Sequence, residues 1–355
     1  MSSDNYNLLK VVVKRRKSAK KEQKMTIILD AMGSDDRPTP EVNAAVIASN
    51  DLNENIILVG NEKELKILLE AIPGDKSRVE IAHAPEALDM SDHIVDARTK
   101  KQNTMQVGMG LVKEGRGDAF VTAGNTGMAM YFAKKVFGDI KGVNRPCLSG
   151  LFPVRNGHAV VLDIGANAEC RPEFLVQFAI MGKIYAQKML GVADPRIGLL
   201  SNGEEEGKGN NLVRETYPLL EASDLNFIGN VEGKELFGGL ADVVVTDGFT
   251  GNVLLKSTEA VANLIIDLLK EELTSSFRTK MGALLAKPAF GKIKQMLDPA
   301  EIGAAPLLGI DALVFVGHGR SDARAMVSAI RGAKHAVENN LLPELRKAIS
   351  ESIQE

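Results

Sequence analysis

The chain has 355 residues, 45% of them apolar and 25% charged, with a formal net charge of −3, the make-up of a globular protein with a large core. No window holds about 18 or more uninterrupted apolar residues, which excludes a transmembrane helix. Two cysteines, Cys147 and Cys170, exclude a disulfide framework, suit a reducing cytosol and read as structural.

The first 24 residues carry eight Lys or Arg against Asp4 and Glu22, a local charge of +6 that leaves −9 for the remainder. They read as a basic disordered extension ahead of a catalytic domain at 25–355. A hold on anionic lipid or nucleic acid, or a start codon upstream of the true one at Met25, are the alternatives for this arm. From Met25 short β-rich runs alternate with longer helical ones, the pattern of βαβ units and a mostly parallel sheet. The 33 glycines and 5% aromatics agree with many tight turns around an aliphatic core. Strands are expected at Thr26 to Asp30, Ile56 to Val59, Val79 to Ala82, Ala119 to Thr122, Ala159 to Asp163, Arg196 to Leu200, Asn226 to Ile228, Val243 to Thr246 and Leu313 to Val316. Helices are expected from Met128 to Val136, from near Asn211, and over Arg320 to Val337 and Leu341 to Ser352.

Six of these strands end in polar, Gly-containing turns. They are Asp30-Ala-Met-Gly-Ser34, Thr122-Ala-Gly-Asn-Thr-Gly127, Asp163-Ile-Gly-Ala-Asn167, Ser201-Asn-Gly-Glu-Glu-Glu-Gly-Lys-Gly-Asn210, Asp247-Gly-Phe-Thr-Gly-Asn252 and Gly317-His-Gly319. In a parallel sheet the carboxyl ends of strands share one side, where ligands bind, so the six turns are expected on one rim. Helix starts after Asn125-Thr126-Gly127 and Thr250-Gly251-Asn252 suit a phosphate or an oxyanion. Lys208 would bring a mobile positive charge. A solvated acidic turn, helix caps at Asp30, Asp163 and Asp247, and a neutral hydrogen-bonded His318 are the plain alternatives. No Gly-x-x-x-x-Gly-Lys-Ser/Thr loop occurs, nor a Gly-x-Gly-x-x-Gly followed by a suitable acid.

Residues 254–297 are organised differently. Val261, Leu264, Ile265, Leu268, Leu269 and Leu273 recur at helical spacing. After them Phe277, Met281, Leu284, Leu285, Phe290, Ile293, Met296 and Leu297 are interleaved with Arg278, Lys280, Lys287, Lys292 and Lys294. Pro288 is expected to divide this second part into a helix, a turn and a short helix. A basic amphipathic hairpin of this kind lies well in a lipid interface. Packing on its own sheet or on a second subunit is the alternative.

With these blocks in view, the sequence resembles the bacterial phosphate acyltransferases of phospholipid synthesis, from Met25 to about Val337. The resemblance is carried by Asp30-Ala-Met-Gly33, Thr122 to Gly127, Asp163 to Asn167, Glu205-Glu-Gly-Lys-Gly-Asn210, Asn226 to Gly233, Asp247 to Asn252 and Ala305-Pro-Leu-Leu-Gly309. The chain departs from the pattern at Ser34, Asp36-Arg37, Ala304 and Arg320. The resemblance implies a three-layer α/β/α fold like that of isocitrate and isopropylmalate dehydrogenases. It also implies a cytoplasmic homodimer peripherally bound to membrane, using long-chain acyl-acyl carrier protein and no nucleotide or other cofactor.

Lys208 is then the expected essential residue. Gly124, Asn125, Thr126 and Gly127 are expected to share the phosphate with it, and Asn167, Asn210, Asp163 and Asp247 to complete the catalytic group. Asp30, Gly33, Glu205, Gly248, Thr250, Asn252 and His318 are expected to bind substrate. Leu284, Leu285, Lys280 and Lys287 are expected to meet the membrane. No metal ligand set or nucleic-acid partner is expected of the whole chain. A phosphotransacetylase-like enzyme using acyl-CoA, and a non-catalytic membrane scaffold, are the competing readings.

Overall fold

The computed structural model describes residues 24–353; apart from Lys24, the expected basic extension lies outside the described residues. Eleven strands form one sheet: β1 (Thr26–Asp30), β2 (Asn55–Gly60), β3 (Val79–His83), β4 (Ala119–Thr122), β5 (Cys147–Val154), β6 (Gly157–Leu162), β7 (Ile197–Leu200), β8 (Phe227–Val231), β9 (Val243–Val245), β10 (Ala304–Leu308) and β11 (Val314–Gly317). The helices are α1 (Thr39–Asp51), α2 (Glu62–Ala71), α3 (Ile94–Thr99), α4 (Thr104–Lys113), α5 (Thr126–Val136), α6 (Pro172–Tyr185), α7 (Asn211–Glu221), α8 (Gly233–Gly238), α9 (Gly248–Thr274), α10 (Phe277–Leu297), α11 (Pro299–Ile302), α12 (Ala323–Glu338) and α13 (Leu341–Ser352).

Successive strand residues point to opposite faces, so each parallel strand feeds two cores. Ile27 and Leu29 of β1 join Ile56 and Leu58 of β2 under α1, α6, α12 and α13. Ile28, Ile57 and Val59 join the opposite core with Met105, Met109, Phe132 and Leu236 from α4, α5 and α8. The result is the expected three-layer α/β/α arrangement.

All nine expected strands are present, but two more, β5 and β10, sit in the middle of the spatial order β3-β2-β1-β4-β11-β10-β5-β6-β9-β7-β8. Strand β10 is antiparallel to both β11 and β5, and β5 is antiparallel to β6. Three reversals in a row turn the second parallel set (β6, β9, β7 and β8) against the first (β3, β2, β1, β4 and β11). The carboxyl ends of the two sets therefore lie at opposite edges of the sheet. This corrects the expectation of a single rim: the Asp30, Thr122 and Gly317 turns share one edge, and the Asp163, Ser201 and Asp247 turns share the other.

Helices α9 and α10 form a long hairpin. Buried residues on α9 are confined to Gly248 and Gly251, and α10 buries none, so the hairpin does not pack on its own sheet beyond its root. Pro288 does not divide it as expected, since α10 runs unbroken from Phe277 to Leu297. Pro288 is solvent-exposed, so the carbonyl its missing N–H leaves unpaired faces water, and a reciprocal Ser276–Thr279 capping box secures the helix start. No described helix is long and apolar enough to cross a membrane.

Candidate active site

At the first edge the Asp30 carboxylate is 1% exposed and anchors two turns. Its Oδ1 accepts from Met32 N at 3.0 Å, its Oδ2 accepts from Thr122 Oγ1 at 2.8 Å, and Thr122 Oγ1 accepts from Gly124 N at 2.9 Å. Burial pushes the Asp30 carboxyl above its ordinary range against the pull of these donors. Gly33 lies so close that a Cβ there would stand 2.8 Å from Gly124 N and 2.9 Å from Thr122 Oγ1. Asn125 caps α5, accepting from Met128 N at 3.1 Å, and donates to the Met90 carbonyl at 2.9 Å. The first-turn N–H groups of Thr126 and Gly127 have no intrahelical acceptor and aim a partial positive charge outward.

His318 follows β11 at the same edge, beside β4. Its Nε2 lies 3.1 Å from Lys256 Nζ, and Lys256 also pairs with Glu259 at 3.0 Å. Burial, then the neighbouring Lys256 charge, lowers the His318 pKa, so the ring is the neutral partner of the ammonium. Lys256 was not singled out from the sequence. The available signal was its position four residues after Asn252, which puts both on one face of α9.

At the second edge Asp163 is fully buried and has its oxygens filled. Oδ1 accepts from the backbone N–H groups of Leu148, Gly165 and Ala166, and Oδ2 accepts from Asn167 N at 2.7 Å and Asn167 Nδ2 at 2.9 Å. Burial raises its pKa. Gly248 N donates to the Asn167 carbonyl at 2.8 Å, and a Cβ at Gly251 would overlap the Asp163 carbonyl, so the start of α9 is locked against the β6 turn. Asp247 caps α9, accepting from Thr250 N and Thr250 Oγ1, each at 2.8 Å. The Asn252 side chain lies over Gly165.

The Lys208 loop leaves β7 at this second edge. Lys208 N donates to the Glu205 carbonyl at 3.0 Å, which also accepts from Asn230 Nδ2 at 2.8 Å, while Asn210 caps α7 through Val213 N at 3.0 Å. Lys208 itself is exposed. Burial pushes the Cys170 thiol up to about 12 and the Cys147 thiol upward as well, which suits a structural role for both. Glu204, Glu232 and Glu235 hold carboxylate oxygens within 4.8 Å of one another, and Lys234 Nζ sits among them at 2.8, 3.6 and 3.2 Å, supplying the charge a cation would bring.

The sequence-predicted residues thus form two groups. Asp30, Gly33, Gly124, Asn125, Thr126, Gly127 and His318 are at one edge. Asp163, Asn167, Glu205, Lys208, Asn210, Asp247, Gly248, Thr250 and Asn252 are at the other. Helix α9 touches both, climbing about 12 Å from Gly248 at the second to Lys256 at the first.

A family model described as "Fatty acid synthesis protein" matches residues 25–343. Two curated relatives are each named "Phosphate acyltransferase". The one from Elusimicrobium minutum is 46% identical over 329 residues, covering 92% of this chain and 96% of its own length. The one from Thermus thermophilus is 46% identical over 327 residues, covering 92% and 99%. Among solved structures, a phosphotransacetylase from Streptococcus pyogenes matches with a TM-score of 0.60 at 19% identity over 89% of this chain and 95% of that one. The EutD phosphotransacetylase from Staphylococcus aureus matches with a TM-score of 0.54 at 16% identity over 88% and 94%. At such identities these two likenesses are of fold. The identities across nearly the whole chain are of another order, and this chain belongs to the phosphate acyltransferase family.

Proposed function

We propose that the protein converts long-chain acyl-acyl carrier protein and inorganic phosphate into acyl phosphate and free carrier protein, for phospholipid synthesis. A phosphate oxygen attacks the thioester carbonyl, the C–O bond forms, the C–S bond breaks, and the pantetheine thiolate leaves and takes up a proton. Phosphate is itself a nucleophile, so the protein has to hold two anionic partners together and stabilise the tetrahedral oxyanion. The first edge suits phosphate: the Thr126 and Gly127 amides, with Lys256 paired to His318 at the same edge. The second edge suits the thioester: Lys208 for the developing charge, with Asn167, Asn210 and Asn252 orienting the carbonyl and the pantetheine amides. Asp163 and Asp247 act through the turns they cap.

Reacting atoms must come within about 3–3.5 Å, while the Asn125 turn and the Lys208 loop leave opposite edges of the sheet, which approach to about 6 Å along α9 between Asn252 and Lys256. The observation that carries the reading is this opposition of the edges. A homodimer that sets one protomer's Asn125 turn against the partner subunit's Lys208 removes the gap, and a two-fold axis makes two such sites.

The α9–α10 hairpin suits a peripheral hold on anionic membrane, where an anionic amphiphilic product is delivered. Phe277, Leu284 and Leu285 are 79%, 63% and 82% exposed, with Lys280 and Lys287 alongside.

The test is to mix the protein with long-chain acyl-carrier protein and phosphate and trap acyl phosphate with hydroxylamine, running the matching CoA thioester in parallel. Phosphate-dependent acyl hydroxamate from the carrier-protein thioester is expected. Product from the CoA thioester alone would assign a phosphotransacetylase-like substrate, and no product from either would leave a scaffold.

A further inference from the structure

The turn that supports the first edge rests on a buried carboxyl that the chemistry above does not use. Glu41, on α1, is fully buried, and its Oε1 accepts from Ser34 N at 3.0 Å. Ser34 is 2% exposed and directly follows Gly33, the residue pressed against Gly124 N. Two atoms of this pair, Glu41 Oε2 and Ser34 Oγ, are buried without a hydrogen-bond partner. A buried carboxylate oxygen and a buried hydroxyl are each costly to leave unpaired. Either protonation state can pair them, the Ser34 hydroxyl donating to the carboxylate or the neutral carboxyl donating to Ser34 Oγ, while Oε1 keeps the Ser34 N–H.

We propose that Glu41 is a positioning residue: through Ser34 and Gly33 it sets the placement of the Gly124-Asn125 turn and so the affinity for phosphate. This rests on the reading of the Asn125 turn as the phosphate site.

The surroundings favour the neutral form. Burial first, and then the nearby Asp30 carboxyl, raise the Glu41 pKa to about 7. Arg37 faces Asp30, and its guanidinium holds the Met32 and Leu88 carbonyls at 3.0 Å each and pairs with Asp89. On α12, Lys334 is paired with Glu54, His335 with Asn339, and Arg331 is exposed; on α2 and β3 the acids are exposed or paired. As pH rises through about 7, ionised Glu41 puts a second negative charge under the turn, beside Asp30, so phosphate binding weakens.

The experiment measures kcat and the KM for phosphate across pH 6 to 8.5 for the full chain and for Glu41→Gln, Glu41→Ala and Asn125→Ala, with thermal unfolding of each. Phosphate's own ionisation is common to all four, so the difference between profiles isolates Glu41. Glu41→Gln is expected to keep the wild-type KM at the acid end and to lose the extra rise in KM above pH 7. Glu41→Ala is expected to raise the KM for phosphate several-fold at every pH with kcat little changed. If both Glu41 variants shift only the unfolding temperature while Asn125→Ala raises the KM, the positioning role is overturned and the phosphate site stands. If Asn125→Ala also leaves the KM unchanged, the phosphate site itself is overturned, and the role of Glu41 with it.

Discussion

Lys256 Nζ stands 3.1 Å from His318 Nε2 and ties the helix rooted at the second edge to the turn that closes the first. An ammonium only donates, so Nε2 accepts and the neutral ring carries its proton on Nδ1. The 3.5 Å approach of Arg320 N to Nδ1 is too long to argue for the other tautomer.

Lys256→Met removes the second of the three causes that depress His318, leaving burial and the Arg320 charge. The His318 titration midpoint, followed by the ring C–H resonance, is expected to move up toward the ordinary histidine range. An unchanged or lower midpoint would show that the two side chains do not meet in solution.

Gly33→Ala places a Cβ 2.8 Å from a backbone nitrogen, which cannot swing aside as a side-chain end can. The Asp30 and Thr122 turns must then part, at a cost of about 1–3 kcal/mol in stability. Steady-state kinetics should show a raised KM for phosphate together with the lower unfolding temperature. Lower stability with phosphate binding untouched would detach Gly33 from the site.

Asp163→Ala strips the acceptor from four backbone N–H groups and the Asn167 amide inside the core. Hydrogen bonds to a charged group contribute about 1.5–3 kcal/mol each, so a loss of more than about 3 kcal/mol is expected in urea unfolding. A variant as stable as the parent would mean that Asp163 is not the anchor of this turn.

Replacing Leu284 and Leu285 by Glu reverses the apolar character at two exposed positions of the hairpin and buries nothing new. Flotation with anionic vesicles should fall sharply while phosphate-dependent turnover in solution and the unfolding temperature stay near wild type. Undiminished flotation would move the membrane contact elsewhere.

Much of this fold is legible in the sequence because parallel strands buried on both faces read as continuous apolar runs, and Ile27 to Leu29, Ile56 to Val59 and Val243 to Val245 all do so. The two strands that escaped notice, Cys147–Val154 and Ala304–Leu308, each contain a proline, Pro153 and Pro306, which argues against an interior strand. Their absence from the sequence reading has a large effect, since together they supply the three reversals that turn the second half of the sheet over. The individual turns were therefore identified, and of the three Asp residues read as caps Asp247 does cap a helix, while the grouping of the turns was not legible. Pro288 misled in the other direction, because an exposed helix face tolerates what a buried one does not. Lys256 and Glu41 were invisible for a different reason: Lys256 matters through His318, 62 residues on, and Glu41 through Ser34, seven residues back across a turn, and regular spacing reports neither contact.

The most direct measurement mixes two inactive variants. Lys208→Ala is expected to lose most acyl phosphate formation, since one well-aimed oxyanion donor is worth about 2.7–4 kcal/mol, and Asn125→Ala to lose most of it when assayed at phosphate well below its raised KM. After subunit exchange, the mixture is expected to regain roughly a quarter of wild-type activity, because half of randomly paired dimers are mixed and each mixed dimer keeps one intact site of two. Activity no greater than that of either variant alone, with exchange verified, would contradict a site shared between one protomer's Asn125 turn and the partner subunit's Lys208.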